Sequence, residues 1–166
     1  MISLYFCKTE EREKFIRKAL EKEVGKELSI SRTAAGKPYC TGGEVQFSVS
    51  HSQSLCAVAI SDRPVGVDCE ILKENFYRAV TASFSEKERS EIVCPRDFYM
   101  HWTAREAFCK MLGRGIWELV RRLEFSDGRI FLDGVLQSQK ITFVFLHGAV
   151  TAVCSDENQI AIKTLQ

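Results

Sequence analysis

Two carboxylates lie two residues apart at the end of an apolar run near the middle of the sequence. Val65, Gly66 and Val67 lead into Asp68 and Glu70, and this pattern predicts a strand in which both carboxylates share one face. Carboxylates beside buried apolar residues are costly unless a cation compensates them. Their oxygens suit Mg²⁺, which commonly takes one or two carboxylates together with waters and phosphate oxygens. The plainer alternative is a strand end in solvent.

A second group occurs at every fourth position of a predicted helix. Trp102, Glu106 and Lys110 have this spacing, which places them on one helix face. Glu106 could supply a third metal oxygen or act as a base, and Lys110 could neutralise a phosphate. The alternative is a weak Glu–Lys surface pair, although the tryptophan argues against a fully solvated face.

A third group combines small hydroxyl donors with a histidine. Ser48, Ser50, His51 and Ser52 follow one another along a predicted strand end, and their side chains could donate to a phosphate oxygen. A structural histidine is the plainer alternative. A Ser–His hydrolase is also possible, but the GxSxG nucleophile elbow is missing and adjacent strand residues point to opposite faces.

One lysine lies between two turn-forming residues. Lys37 is flanked by Gly36 and Pro38, so a short, stiff loop would hold it. Such a lysine suits a fixed anion site, and an ordinary surface turn is the alternative.

Hydrophobic periodicity and turn residues predict the elements that must position these groups. The first helix is expected to be capped by Thr9 and to end at Gly25. Ser85 and Glu88 form a capping-box pattern, and Pro95 separates that helix from the one carrying Glu106. The predicted helices cover 10–24, 73–83, 85–93 and 96–112, and the predicted strands cover 2–7, 45–49, 55–60, 65–70, 123–126, 129–133, 140–146, 149–155 and 159–163.

The sequence also carries a faint internal repeat. Residues 47–51 resemble residues 143–147, and an Ala-Val pair followed by Ser-Asp recurs after each. Chance similarity between hairpins is an equal explanation. A genuine repeat would make the chain a single domain, 1–166, of two α+β halves at about 1–70 and 71–166.

Composition narrows the class of protein. The chain has 166 residues, which suggests one domain. It is 45% hydrophobic and 27% charged, as expected of a globular protein. Its formal net charge of +1 argues against a nucleic-acid partner. No apolar run approaches the roughly 18 residues of a membrane span.

Cysteine content and the N-terminal residues bear on the cellular compartment. The seven cysteines include no CxxC motif, which argues against a disulfide framework or zinc site and favours a reducing compartment. A catalytic cysteine is an alternative that no flanking motif supports. Residues 1–7 lack the basic leader and cleavage site of a signal peptide. We therefore expect a cytoplasmic protein.

Taken in order, five segments resemble the 4'-phosphopantetheinyl transferases, in their surfactin-synthetase-type, pseudo-dimeric branch. One such segment would be weak evidence, whereas five in the same order are specific. The segments are GKPY at 36–39, FSVSHS at 47–52, VGVDCE at 65–70, FSEKE at 84–88 and WTAREAFCK at 102–110.

The resemblance implies a reaction and a set of roles. The enzyme would move phosphopantetheine from coenzyme A to a carrier-protein serine, releasing 3',5'-ADP with Mg²⁺ as cofactor. Asp68, Glu70 and Glu106 would hold Mg²⁺ against the pyrophosphate of coenzyme A. Glu106, directly or through a water, would help remove the serine proton, and Lys110 would contact a phosphate. A metal ion held by carboxylates beside a lysine suits phosphoryl-type transfer, which depends mainly on positioning and charge neutralisation.

The resemblance also implies a binding site for the phosphates of coenzyme A. Lys37, Ser50 and His51 would contact them. Arg12 would match the helix arginine that reaches the 3'-phosphate, although Lys14 or Arg17 could take that role.

The sequence departs from the family pattern at Arg105, where lysine is common, and at Cys69, where an aliphatic residue is usual. Basic residues that longer relatives carry near the adenine have no counterpart here. The implied fold is α+β, with two pseudo-symmetric halves, each a helix packed on antiparallel strands, and an active site in the cleft between them. A monomer is then expected. The alternatives are a Mg²⁺-dependent phosphohydrolase and a non-catalytic module that binds coenzyme A or docks a carrier protein.

Overall fold

The computed structural model describes residues 1–43, 45–74, 78–157 and 159–165, and the side chains of all of these except 78 and 79. A short 3₁₀ helix at Thr9–Glu11 precedes the first α-helix. The α-helices are α1 (Arg12–Val24), α2 (Arg78–Thr81), α3 (Glu86–Glu91), α4 (Pro95–Leu112) and α5 (Ile116–Leu119). The strands are β1 (Ile2–Lys8), β2 (Ile30–Arg32), β3 (Pro38–Cys40), β4 (Gln46–Ser52), β5 (Leu55–Ser61), β6 (Val65–Ile71), β7 (Leu123–Ser126), β8 (Arg129–Leu132), β9 (Val135–Leu136), β10 (Lys140–Leu146), β11 (Ala149–Ser155) and β12 (Ile160–Lys163).

Two main sheets share a similar order of strands. In the first, β1 pairs with β5 and β5 with β4, all antiparallel, and β12 adds a parallel edge to β1. In the second, β6 pairs with β11 and β11 with β10, again antiparallel. The α+β class is therefore confirmed, whereas a pseudo-symmetric relation between halves stays a prediction, as does the single domain.

The two sheets pack face to face, and each carries a helix on its outer side. Leu4 and Ala59 of the first sheet meet Val67 and Val153 of the second in a buried cluster between them. Helix α1 covers the outer face of the first sheet, and α4 covers that of the second. Because strand side chains alternate, residues 66, 68 and 70 of β6 share the side that α4 covers, whereas Val67 and Cys69 lie in the cluster between the sheets.

Several local signals act as predicted. Helix α1 ends at Gly25, whose φ of 78° closes the helix with an N–H bond to Glu21. Ser85 and Glu88 form the capping box of α3, each side chain accepting from the other residue's backbone N–H. Pro95 is the first residue of α4, where its missing N–H costs nothing.

Other predictions of local structure are wrong or incomplete. Thr9 does not cap α1, because its hydroxyl donates to the Gln53 carbonyl across a loop contact at 2.9 Å. Within 73–83 only Arg78–Thr81 is helical among the described residues, and 75–77 lie outside them. Helix α5 and the short strands β2, β3 and β9 were not predicted, because each has four residues or fewer and no clear period.

None of the helices in the described part of the chain combines the length and apolar character that a transmembrane segment needs.

A buried ion pair ties α3 to α4 beneath the second sheet. Glu88 and Arg105 are both fully buried, with Arg105 Nη1 3.4 Å from Glu88 Oε1. Glu88 also accepts from the Phe125 N–H at 2.9 Å. Despite its burial, the neighbouring His101 side chain, the Arg105 charge and backbone donors hold the pKa of Glu88 below its ordinary value.

Glu88→Gln is expected to destabilise the fold by about 3 kcal/mol at pH 7, because Arg105 would lose its buried counter-charge. A lowered folded-state pKa means that this contribution is present above the ordinary glutamate pKa and is lost as pH falls through the folded value. The gap between wild type and variant in urea unfolding should therefore shrink toward acid pH. Glu86→Gln, at an exposed position of the same helix, serves as control. A gap that stays constant with pH would contradict the assignment.

Candidate active site

Helix α4 lies directly on the backbone of β6, and this contact positions the central charged groups. A Cβ built on Gly66 would lie 1.9 Å from the Ala107 carbonyl oxygen and 2.5 Å from the Met111 nitrogen. Only a residue without a side chain permits that approach. It brings the α4 face that carries Glu106 and Lys110 over the side of β6 that carries Asp68.

Lys110 pairs with the strand carboxylate rather than with the glutamate on its own helix. Its Nζ donates to Asp68 Oδ1 at 2.7 Å and to Ser50 Oγ at 2.9 Å. Ser50 Oγ in turn donates to the same Asp68 oxygen at 2.7 Å. Burial disfavours the lysine charge, but the attraction of Asp68 and Glu106 is stronger, so the pKa of Lys110 is raised and the ammonium is retained.

The three predicted carboxylates act on one another electrostatically. Burial, together with the charges of Asp68 and Glu70, raises the pKa of Glu106 to about 7, although Lys110 opposes the shift. Burial and the Asp68 charge also raise the pKa of Glu70, although the Ser52 hydroxyl bond opposes this. The pKa values of these two carboxylates are raised because burial and mutual repulsion together outweigh the attraction of the one lysine beside them.

The donor chemistry of this region fits Mg²⁺. Asp68 Oδ2 is buried and has no hydrogen-bond partner in the described structure, so it remains available to a cation. Among the described residues no three His, Cys, Asp or Glu side chains form a ready-made metal cage. Mg²⁺ does not require one, because it usually keeps waters and takes only one or two carboxylates beside phosphate oxygens.

A basic cleft of about 620 Å³ opens beside this cluster. It lies between the start of α1, the turn at 33–37, β4 and the end of α4. Arg12, Lys37, His51 and Lys110, predicted to bind phosphates, all line it. Ser50, predicted with them, is not among the lining residues and lies under Lys110. The roles predicted for all of these residues in binding and catalysis stay predictions.

Three further arginines line the cleft: Arg17, Arg32 and Arg114. Arg17 was considered for the 3'-phosphate, whereas Arg32 and Arg114 were missed. Arg32 donates to the Gly36 carbonyl at 3.0 Å and so braces the turn that carries Lys37. Arg114 continues the fourfold spacing of Trp102, Glu106 and Lys110 in the sequence, although α4 ends at Leu112 before reaching it. Arg32 has no comparable signal in the sequence.

Lys37 reaches across the cleft to the end of α4. Its Nζ donates to the Met111 carbonyl at 3.0 Å, one of the carbonyls left without an intrahelical partner at the helix C-terminus. Partial burial lowers the pKa of Lys37.

The two departures from the family pattern lie outside the cleft. Arg105 lies on the opposite side of α4. There it donates to the carbonyls of Val120 and Leu123 and lies over the Phe84 ring. Its role is therefore structural. Cys69 packs in the apolar cluster between the sheets, with its side chain fully buried.

Trp102 extends the charged face of α4 toward the surface. Its ring lies 6.2 Å from that of Trp117, which is 74% exposed. The prediction that Trp102 would keep this helix face from full solvation is confirmed, because it packs against the core around α4.

Comparison with known proteins places the chain in a family. The family model described as the 4'-phosphopantetheinyl transferase superfamily matches residues 64–162, more than half of the chain. The chain is 34% identical over 129 residues to the L-aminoadipate-semialdehyde dehydrogenase-phosphopantetheinyl transferase of Xenopus laevis, covering 64% of this chain and 42% of that protein. It is 28% identical over 96 residues to the 4'-phosphopantetheinyl transferase of Bacillus subtilis, covering 54% and 43%.

A third relative is 4'-phosphopantetheinyl transferase AcpT of Salmonella typhimurium, 33% identical over 95 residues, covering 51% of this chain and 50% of that protein. The chain thus spans about half the length of the curated relatives it matches. The matched residues 64–162 include the strand with Asp68 and Glu70 and the helix with Glu106 and Lys110. From its motifs, its site and these matches, the chain belongs to the 4'-phosphopantetheinyl transferase superfamily.

Proposed function

We propose that the protein transfers the 4'-phosphopantetheine group from coenzyme A to a serine hydroxyl of an apo acyl or peptidyl carrier protein, releasing 3',5'-ADP. The observation that carries this proposal is the position of Lys110, which lines the basic cleft and also binds Asp68 at 2.7 Å. A ligand held by its phosphates in the cleft would therefore present a phosphate to the carboxylate cluster.

Asp68, Glu70 and Glu106 are the residues that would hold Mg²⁺. When bound, the ion would neutralise charge on the pyrophosphate oxygens, as divalent metals do in phosphoryl-type transfer. The support from this chain is the oxygen donor set and the unpartnered Asp68 Oδ2.

The chain's own groups would then have distinct tasks. Arg12, Lys37 and His51 would bind the phosphates of coenzyme A and fix its orientation. Glu106, directly or through a water, would accept the proton of the carrier serine as its oxygen bonds to the phosphorus that bears pantetheine. The bond from that phosphorus to the oxygen of 3',5'-ADP breaks in the same step. Lys110 would stabilise the negative charge that develops on the departing oxygen.

The direct test is the intact mass of an apo carrier protein after incubation with this protein, coenzyme A and Mg²⁺. A gain of one phosphopantetheine that EDTA prevents would support the proposal. Binding of coenzyme A without transfer to several carriers would instead favour a binding module. Release of nucleotide without any carrier would favour a phosphohydrolase.

Arg12→Ala is expected to raise the KM for coenzyme A about tenfold with little change in kcat, because it removes one charged contact to phosphate. Lys14→Ala is the matched control. Lys14 is exposed near the start of α1 and does not line the cleft, so the KM of the Lys14→Ala variant should stay near that of wild type. An effect confined to Arg17→Ala would instead assign the 3'-phosphate to Arg17.

The remaining properties are part of the same proposal. No disulfide bond joins any of the seven cysteines, all of which lie within the described residues, and this supports a reducing, cytoplasmic location. A cleft built from residues of one chain supports a monomer as the active form. Neither a nucleic acid nor a membrane is proposed as a partner.

A further inference from the structure

Strands β4 and β6 face each other without a backbone ladder. They belong to different sheets, and within the described residues no backbone–backbone hydrogen bond joins them. Instead, three buried serines at alternate positions of β4 reach β6. Ser48 Oγ accepts from the Val67 N–H at 3.0 Å, and Ser52 Oγ accepts from the Ile71 N–H at 3.2 Å. Ser50 contacts β6 through its bond to Asp68.

Two of these serines also hold carboxylates of the active site. Ser52 Oγ donates to Glu70 Oε2 at 2.6 Å, as Ser50 Oγ donates to Asp68 Oδ1 at 2.7 Å. In each case a donor already points at the serine oxygen: the Ile71 N–H on Ser52 and the Lys110 ammonium on Ser50. The one hydroxyl proton of each serine is therefore directed at its carboxylate. Ser48 makes the same backbone contact but bonds no carboxylate.

We propose that Ser52 is a positioning residue that fixes the Glu70 carboxylate for Mg²⁺, acting from the opposite strand, as Ser50 does for Asp68. This inference rests on the proposed function, because it takes Asp68 and Glu70 as metal ligands. Hydrogen bonds to a ligating carboxylate restrict its rotamers before the metal arrives, so less conformational freedom is lost on binding. Ser50 and Ser52 are two residues apart on β4, as Asp68 and Glu70 are on β6. Each hydroxyl can therefore lie opposite one carboxylate.

The test measures Mn²⁺ binding, with neither coenzyme A nor carrier present, by the electron paramagnetic resonance signal of the free ion. Mn²⁺ is the probe because it prefers the same oxygen ligands as Mg²⁺. Ser52→Ala is expected to weaken binding about tenfold, the usual scale for loss of a bond to a ligand side chain. Ser48→Ala removes an equivalent contact between the strands and should leave Mn²⁺ affinity unchanged. Ser52→Cys repeats the test with a weaker donor of nearly the same size, should alanine prevent folding.

The outcomes separate the inference from the proposed function. Selective weakening in the Ser52 variants would support the positioning role. Equal weakening in the Ser48 and Ser52 variants would overturn it, because the serines would then only join the strands. Wild-type affinity in the Ser52 variants, or no Mn²⁺ binding by wild type, would overturn it as well. Transfer of phosphopantetheine by wild type, measured by carrier mass, decides the proposed function independently of these results.

Discussion

Glu106→Gln is expected to slow phosphopantetheine transfer by at least about a hundredfold. The substitution keeps the size of the side chain but removes one of the three charges that would hold Mg²⁺ and the group proposed to accept the serine proton. Each of these contributions is worth several kcal/mol in comparable enzymes, and each 1.4 kcal/mol is about tenfold in rate. The measurement is the initial rate of mass gain of an apo carrier protein at saturating coenzyme A.

The same substitution is expected not to lower folding stability. Burial and the charges of Asp68 and Glu70 oppose ionisation of Glu106, so a neutral amide relieves repulsion that the wild-type protein tolerates. The melting temperature of Glu106→Gln should therefore equal or exceed that of wild type, as is common where an active site stores unfavourable charge. Glu27→Gln, at an exposed position outside the cleft, is the control and should change neither rate nor stability. Near-normal transfer by Glu106→Gln would refute the assignment of this residue.

Gly66→Ala is expected to destabilise the protein by about 3 kcal/mol or more. The added methyl would overlap the Ala107 carbonyl oxygen and approach the Met111 nitrogen, and both are helix backbone that cannot rotate away. Helix α4 would have to shift as a whole from β6, at or beyond the upper range for overpacked cores. In a domain of this size that corresponds to a fall in melting temperature of about 6–12 °C.

The displacement would also affect catalysis, because Glu106 and Lys110 are on the helix that moves. Transfer by the folded fraction should fall even at temperatures well below the transition. Gly115→Ala is the matched control for stability, since a Cβ there has nothing within 4 Å and the φ of Gly115 is −71°. It should cost about 1 kcal/mol or less, because glycine is preferred over alanine at an N-cap but no steric overlap results. A Gly66→Ala protein as stable as this control would show that α4 does not depend on the close contact.

Local periodicity made a large part of the site predictable. An alternating strand requires Asp68 and Glu70 to share a face, and helical spacing requires the same of Glu106 and Lys110. Gly25, which ends α1, and the capping box at Ser85, which begins α3, act through hydrogen bonds within a few residues. These features depend on backbone geometry and on nearby sequence, so they were available before any long-range contact was known.

Partners distant in sequence were not predictable in the same way. The helical spacing allowed Lys110 to pair with Glu106, yet the ammonium binds Asp68, because α4 crosses β6 at Gly66. Thr9 has the sequence of a helix cap, yet its hydroxyl is taken by the Gln53 carbonyl. In each case a contact from a distant part of the chain competes with the local one, and its presence depends on how whole elements pack.

The sequence by itself determined the family, the strand and helix that carry the charged residues, and the faces on which these residues lie. Tertiary structure decided which groups meet: the arginines Arg32 and Arg114 in the cleft, the burial of Arg105 on the far side of α4, and the bond from Ser52 to Glu70. The physical reason is one of range. The backbone fixes periodicities over a few residues, whereas the meeting of two side chains depends on the packing of all the elements between them.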